Sequence, residues 1–114
     1  MNKTAADRDL FPGTLEMMIL RTLQRQPQHG YALAQHIKRM SNDLLQIEEG
    51  TLYPALQRLL QAGLVNAHWG VSATKRKIRI YSVSAAGKKD LKIQVSSFER
   101  MLEGIHRVLA PEES

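Results

Sequence analysis

A mostly α-helical domain with a small β-hairpin and one long terminal helix is what this sequence predicts. Three patterns lead there. Apolar residues recur at helical spacing in three segments between residues 14 and 62. Residues 65–83 then switch to alternation around a short polar break, the pattern of a hairpin. From residue 91 an a/d repeat runs almost to the end. The 114 residues are 43% apolar and 24% charged and include no cysteine. That is the composition of one folded domain, and it excludes a disulfide scaffold and a thiolate metal centre. The apolar runs are only a few residues long, far short of a bilayer span. Met1-Asn2-Lys3-Thr4 lacks an apolar leader, so a cytoplasmic location is expected.

Residues 1–11 are polar and aperiodic and are expected to form a flexible arm. A first helix should carry Leu15, Met18, Ile19, Thr22 and Leu23 on one face. Pro12-Gly13-Thr14 starts it, with Thr14 as N-cap and Glu16 near its positive end. Pro27 closes it near Arg25 or Gln26. Gly30 opens a second helix with Tyr31, Leu33, Ala34, Ile37 and Met40 facing inward, and Lys38 and Arg39 suiting its C-terminal end. Ser41-Asn42-Asp43 has turn chemistry.

A third helix is expected from about Glu49 to Ala62, with Leu52, Leu56, Leu59 and Leu60 inward. Glu48 and Glu49 suit its positive end, and Gly63 is its stop. Pro54 predicts an irregular start. Val65, Ala67, Trp69 and Val71 alternate with polar or small residues. Ile78, Ile80, Tyr81 and Val83 form the return strand, and Ser72–Arg76 is short enough for the loop. Leu91, Val95, Phe98, Leu102, Ile105 and Leu109 then follow in steps of four, three, four, three and four. That is an a/d seam nearly three heptads long. Ser84 can cap this last helix and Pro111 stops it.

Three helices and a hairpin in this order make a winged helix-turn-helix, expected over residues 12–84, with a dimerisation helix over 85–110. In such motifs the later helix enters the DNA major groove. Its outward residues would be Thr51, Tyr53, Gln57, Arg58 and Gln61, whose hydroxyl, amide and guanidinium groups can bond phosphates and base edges. Charge points the same way, although taken alone it fits a solvated lysine-rich surface equally well. The chain carries +5 overall, yet residues 63–98 alone hold seven bases against one acid. Four of those bases, Lys75, Arg76, Lys77 and Arg79, fall on the hairpin tip and return strand, where they suit phosphates or a minor groove. The seam could cover the chain's own first helix or pair with a second copy. A helix projecting after the wing has little else to cover, which favours a homodimer.

Blander roles exist for several of these residues. Gln57 and Gln61 taken singly could be solvated helix positions, and Tyr53 could pack its ring on the core edge. Trp69 is expected to pack within the wing and Tyr31 within the core. His29, His36, His68 and His106 lack metal-ligand spacing and are expected at the surface or at caps, so no metal is assigned. No nucleophile elbow, carboxylate cluster or phosphate-binding glycine loop appears, so neither enzyme activity nor a cofactor is expected. The main alternative is a protein-interaction module whose basic wing docks an acidic partner. The polar character of Thr51, Gln57 and Arg58 speaks against it. Non-specific coating of DNA fits poorly with so concentrated a charge.

The string Gly50-Thr51-Leu52-Tyr53-Pro54-Ala55-Leu56, continued by Arg58-Leu59 and Gly63-Leu64-Val65, resembles the recognition helix of PadR-like transcriptional regulators. His29-Gly30-Tyr31-Ala32-Leu33 resembles that family's second helix, and Gly13-Thr14-Leu15-Glu16 its first. Tyr81-Ser82-Val83-Ser84-Ala85-Ala86-Gly87 resembles its joint to the last helix, with Ser84 where threonine is usual. The similarity spans roughly residues 12–110, and the single terminal helix matches the family's smaller branch. The resemblance implies a homodimeric repressor on a near-palindromic double-stranded DNA operator. For some members of the family it also implies a phenolic or hydrophobic effector at the dimer centre, a space that Phe98, Met101 and Leu102 could line, although packed dimer core is the role expected of them.

Overall fold

The computed structural model describes residues 13–112; the arm expected over 1–11 lies outside the described residues. The order is α1 (Thr14–Arg25), β1 (Gln28–His29), α2 (Gly30–Met40), α3 (Glu49–Gln61), β2 (Val65–Val71), β3 (Lys77–Val83) and α4 (Ala85–Leu109). The three strands form an antiparallel sheet in the order β1-β3-β2. Among the described residues no helix is long and apolar enough to cross a membrane.

The core forms where the apolar faces of the helices meet the base of the hairpin. α1 contributes Leu15, Ile19, Leu20 and Leu23, α2 Leu33 and Ile37, and α3 Leu52, Ala55, Leu56 and Leu59. Val65 and Tyr81 close it from the sheet, and Leu91 from α4. Each fully buried leucine or isoleucine contributes about 1.5–3 kcal/mol. Thr22, on the buried face of α1, donates its hydroxyl proton to the Met18 carbonyl, so the buried oxygen costs little.

Several expectations are corrected. The N-cap of α1 is Gly13, at φ +85°, and not Thr14, which is the first helical residue. Tyr31 is 61% exposed and Met40 is also exposed, because α2 buries only the narrower stripe of Gly30, Leu33 and Ile37. Pro54 does not make the start of α3 irregular. It lies within a continuous helix, where it has no N–H to give the Gly50 carbonyl, and the four buried residues of α3 hold the turn together. Leu60 is only half-buried. The two-residue strand β1 was not expected at all. It pairs Gln28 with Tyr81 and His29 with Ile80, and fastens the start of α2 to the return strand of the hairpin.

The joint between α3 and α4 is tightly made. Gly63 takes the left-handed conformation, φ +75°, that lets the chain leave α3. Ser84 caps α4 by accepting from the Gly87 N–H at 3.0 Å. The same hydroxyl donates to the Gly63 carbonyl at 2.7 Å, and the Ser84 N–H donates to the Leu64 carbonyl at 3.0 Å. Gly87 lies so close to this loop that a Cβ would stand 2.1 Å from the Leu64 carbonyl oxygen, a backbone atom that cannot swing aside. Gly87→Ala should therefore lower stability by about 1–3 kcal/mol despite alanine's better helix propensity. A urea midpoint equal to wild type would show that the joint yields.

Candidate nucleic-acid interface

Helical periodicity divides α3 cleanly. Leu52, Ala55, Leu56 and Leu59 point into the core, which leaves Gln57 and Gln61 on the opposite crest and Thr51 and Tyr53 on the flanks. All five residues singled out from the sequence, Thr51, Tyr53, Gln57, Arg58 and Gln61, are exposed. Two of them are also engaged with neighbouring helices. The Arg58 Nε donates to the Glu16 carboxylate at 2.8 Å, a bond that ties α3 to α1. An exposed pair of this kind is worth about 0–1 kcal/mol, so its effect is on aim more than on stability. The Tyr53 ring lies directly over Gly30 at the start of α2, close enough that a Cβ there would meet the phenol oxygen. Burial pushes the Tyr53 phenol above its usual pKa of 10.0, helped by the Glu49 carboxylate and by Tyr81. The hydroxyl stays protonated at neutral pH and remains a donor.

The wing extends the sheet beyond the core. β2 and β3 pair from Val65–Val83 out to Val71–Lys77. The face that is buried at Val65 and Tyr81 and half-buried at Ala67 continues outward as the exposed Trp69, Val71, Lys77 and Arg79. The tip turns on itself. The Ser72 N–H donates to the Arg76 carbonyl at 2.8 Å and the Lys75 N–H to the Ser72 carbonyl at 2.9 Å. The Ser72 hydroxyl accepts the Arg76 N–H at 3.0 Å. Lys75, Arg76, Lys77 and Arg79 are all exposed, and among the described residues none of them makes an ion pair.

Trp69 is not packed away as expected. It is 59% exposed, with the Lys77 Nζ 5.0 Å and the Arg79 Cζ 5.4 Å from its ring centroid. The alternation and the five-residue loop set Trp69 opposite Arg79, but no local pattern shows that Lys77, whose cross-strand partner is Val71, reaches the same ring.

The seam on α4 divides along its length. Leu91, assigned from the sequence to an interface between copies, is only 1% exposed in the single chain and belongs to its own core. Val95 packs against that core. The reason is that α4 turns back along α1 before it projects, so the first heptad is already covered. Phe98 and Leu102 are half-buried, and Ile105 and Leu109 are exposed, Leu109 at 72%. A second set of exposed apolar residues, Ile93, Met101 and Val108, widens the stripe beyond the a/d positions. Phe98, Met101 and Ile105 line an open groove of about 590 Å³ with Met17 of α1. Leu102 faces a separate hollow with Glu99 and His106, so these residues do not form one cavity within the chain.

Of the histidines, His29 caps α2, its Nδ1 accepting the Ala32 N–H. Among the described residues no group of three histidines or carboxylates is placed to hold a metal.

Comparison with known proteins bears on the family and the fold. The sequence profile described as "Transcriptional regulator PadR-like family" matches residues 19–93. A transcriptional regulator from Clostridium thermocellum is 27% identical and superposes with a TM-score of 0.81, covering 89% of this chain and 98% of that one. A PadR family transcriptional regulator from Eggerthella lenta is 30% identical, with a TM-score of 0.73 over 88% of this chain and 85% of its own. An uncharacterised protein of Lysinibacillus sphaericus is 30% identical over 95 residues, 83% of this chain and 87% of that protein.

Proposed function

The chain belongs to the PadR-like family of DNA-binding transcriptional regulators, not to a family of enzymes, and from that premise we propose that it is a repressor that grips a near-palindromic operator as a homodimer. The observation that carries this reading is the pairing of a polar helix crest with a basic wing, free of ion pairs among the described residues, on elements that share one core. Gln57 and Gln61 lead the base contacts, with Thr51 at the flank. Tyr53 and Arg58 hold α3 at its angle through Gly30 and Glu16 and add polar contacts of their own. Lys75, Arg76, Lys77 and Arg79 grip the phosphate backbone. The copies meet along the distal part of α4, through Phe98, Leu102, Ile105 and Leu109, with Val95 at the margin and Leu91 excluded by its burial. A small hydrophobic or phenolic effector would bind in the groove of Met17, Phe98, Met101 and Ile105 where the partner approaches. The protein acts in the cytoplasm.

The test is sequence readout. A duplex is first selected from random DNA with the wild-type chain. Gln57→Ala should then lose about 1–3 kcal/mol on that duplex and much less on unrelated DNA, the signature of a base contact. Equal losses on both would make Gln57 a phosphate anchor and move the readout elsewhere.

A further inference from the structure

The wing carries one feature that the basic patch alone does not require. Trp69 is the only tryptophan of the chain, and it stands more than half exposed on the outward continuation of the core-facing sheet surface. Arg79 is its cross-strand partner, and Lys77 is two residues along on the same face. Both cations lie within 5.4 Å of the same ring centroid. Two like charges brought to one ring repel each other. The electron-rich ring face offsets that repulsion in part, and an anion would relieve the rest.

We propose that Trp69 is a positioning residue of the DNA grip: its ring holds Lys77 and Arg79 in place before DNA arrives, so that they meet the phosphate backbone as a fixed pair. The proposal rests on the reading of the wing as a DNA contact. Lysine and arginine are the side chains with most rotamer freedom to lose, and a grip made of free ones must order them on binding. Stacking on the ring orders their stems in advance and removes part of that cost. The side chains remain exposed, with N–H groups free to donate to phosphate oxygens. Of the four wing cations, Lys77 and Arg79 are the pair the ring reaches; Lys75 and Arg76 belong to the turn.

The experiment compares wild type, Trp69→Leu and Trp69→Phe, each with and without Lys77→Ala/Arg79→Ala. Binding is read by fluorescence anisotropy on a labelled duplex of mixed sequence at about 0.1 M salt, where surface charge contacts are still felt. Trp69→Leu should weaken binding about 3- to 10-fold, the lower range for two exposed cation–π contacts. Trp69→Phe, which keeps an aromatic face, should recover most of the loss. In the Lys77→Ala/Arg79→Ala background, Trp69→Leu should add nothing. A second measurement needs no DNA. In the free protein the Lys77 ε-methylene and Arg79 δ-methylene proton resonances should lie upfield under the ring current, stay there in Trp69→Phe and return to ordinary values in Trp69→Leu. Unshifted resonances in wild type, an unchanged affinity in Trp69→Leu, or the same loss with and without the two cations would each overturn the proposal. If Lys77→Ala/Arg79→Ala itself binds like wild type, the wing reading fails and the proposal falls with it.

Discussion

Replacing Lys75, Arg76, Lys77 and Arg79 together by alanine should flatten the salt dependence of operator binding by roughly 4–7 units in the slope of log affinity against log salt. The four residues offer up to eight charges in a dimer, and each phosphate contact contributes about 0.9 to that slope. They have no carboxylate partner among the described residues to shield them, so their charge is available to the polyanion. The preferred base sequence should stay largely as it was, because backbone contacts set register without reading bases. A salt titration by fluorescence anisotropy measures both quantities on the selected duplex and on mixed DNA. An unchanged slope would mean that the wing does not touch DNA, and would favour an acidic protein as its partner.

Leu102→Asp should abolish the dimer while leaving the fold intact. In the proposed assembly Leu102 lies in a desolvated contact, where an unpaired carboxylate costs several kcal/mol. In the single chain it is only half-buried and lies outside the core, so the monomer should keep its melting transition. Sedimentation should show monomer at micromolar concentration, with operator binding weakened because each copy then binds a half-site alone. Leu91→Asp is the contrasting case. Its side chain is fully enclosed by its own domain, so that variant should fail to fold. If wild type sediments as a monomer at micromolar concentration, the distal face of α4 has been assigned the wrong occupant.

The elements most legible in the sequence were those whose pattern is local. The 3.6-residue spacing in α1 and α3, the alternation of the wing, the stop at Gly63 and the serine cap at Ser84 all follow from neighbours along the chain. What stayed hidden depends on partners far away in sequence. β1 is two residues long and exists only because β3 lies beside it. Tyr31 follows the helical period, yet α2 is shallow enough to leave that position in water. Arg58 reads as a free base until Glu16, forty-two residues earlier, is brought against it. The seam on α4 shows the limit most clearly. Its periodicity announces a contact surface but does not say whose, and the structure splits it between the chain's own core at Leu91 and open solvent at Leu109. Within the candidate interface, the identity and exposure of the α3 and wing residues were legible, whereas the restraint of Tyr53 by Gly30 and the gathering of Lys77 and Arg79 at Trp69 were not.

The single hydroxyl of Ser84 bonds both to the last turn before the sheet, at Gly63, and to the first turn of α4, at Gly87. The end of α3 and the start of α4 are therefore tied at one point. A helix of 25 residues spans about 37 Å, which makes α4 a lever arm for whatever sits at its base. In a dimer pivoting at the far end of α4, a tilt of about 5° would carry each reading helix by about 3 Å, close to the 3.4 Å step between base pairs. Because the two copies of a two-fold dimer move in opposite senses, so small a tilt would change the spacing between the reading heads by up to about 6 Å, nearly two base pairs of operator.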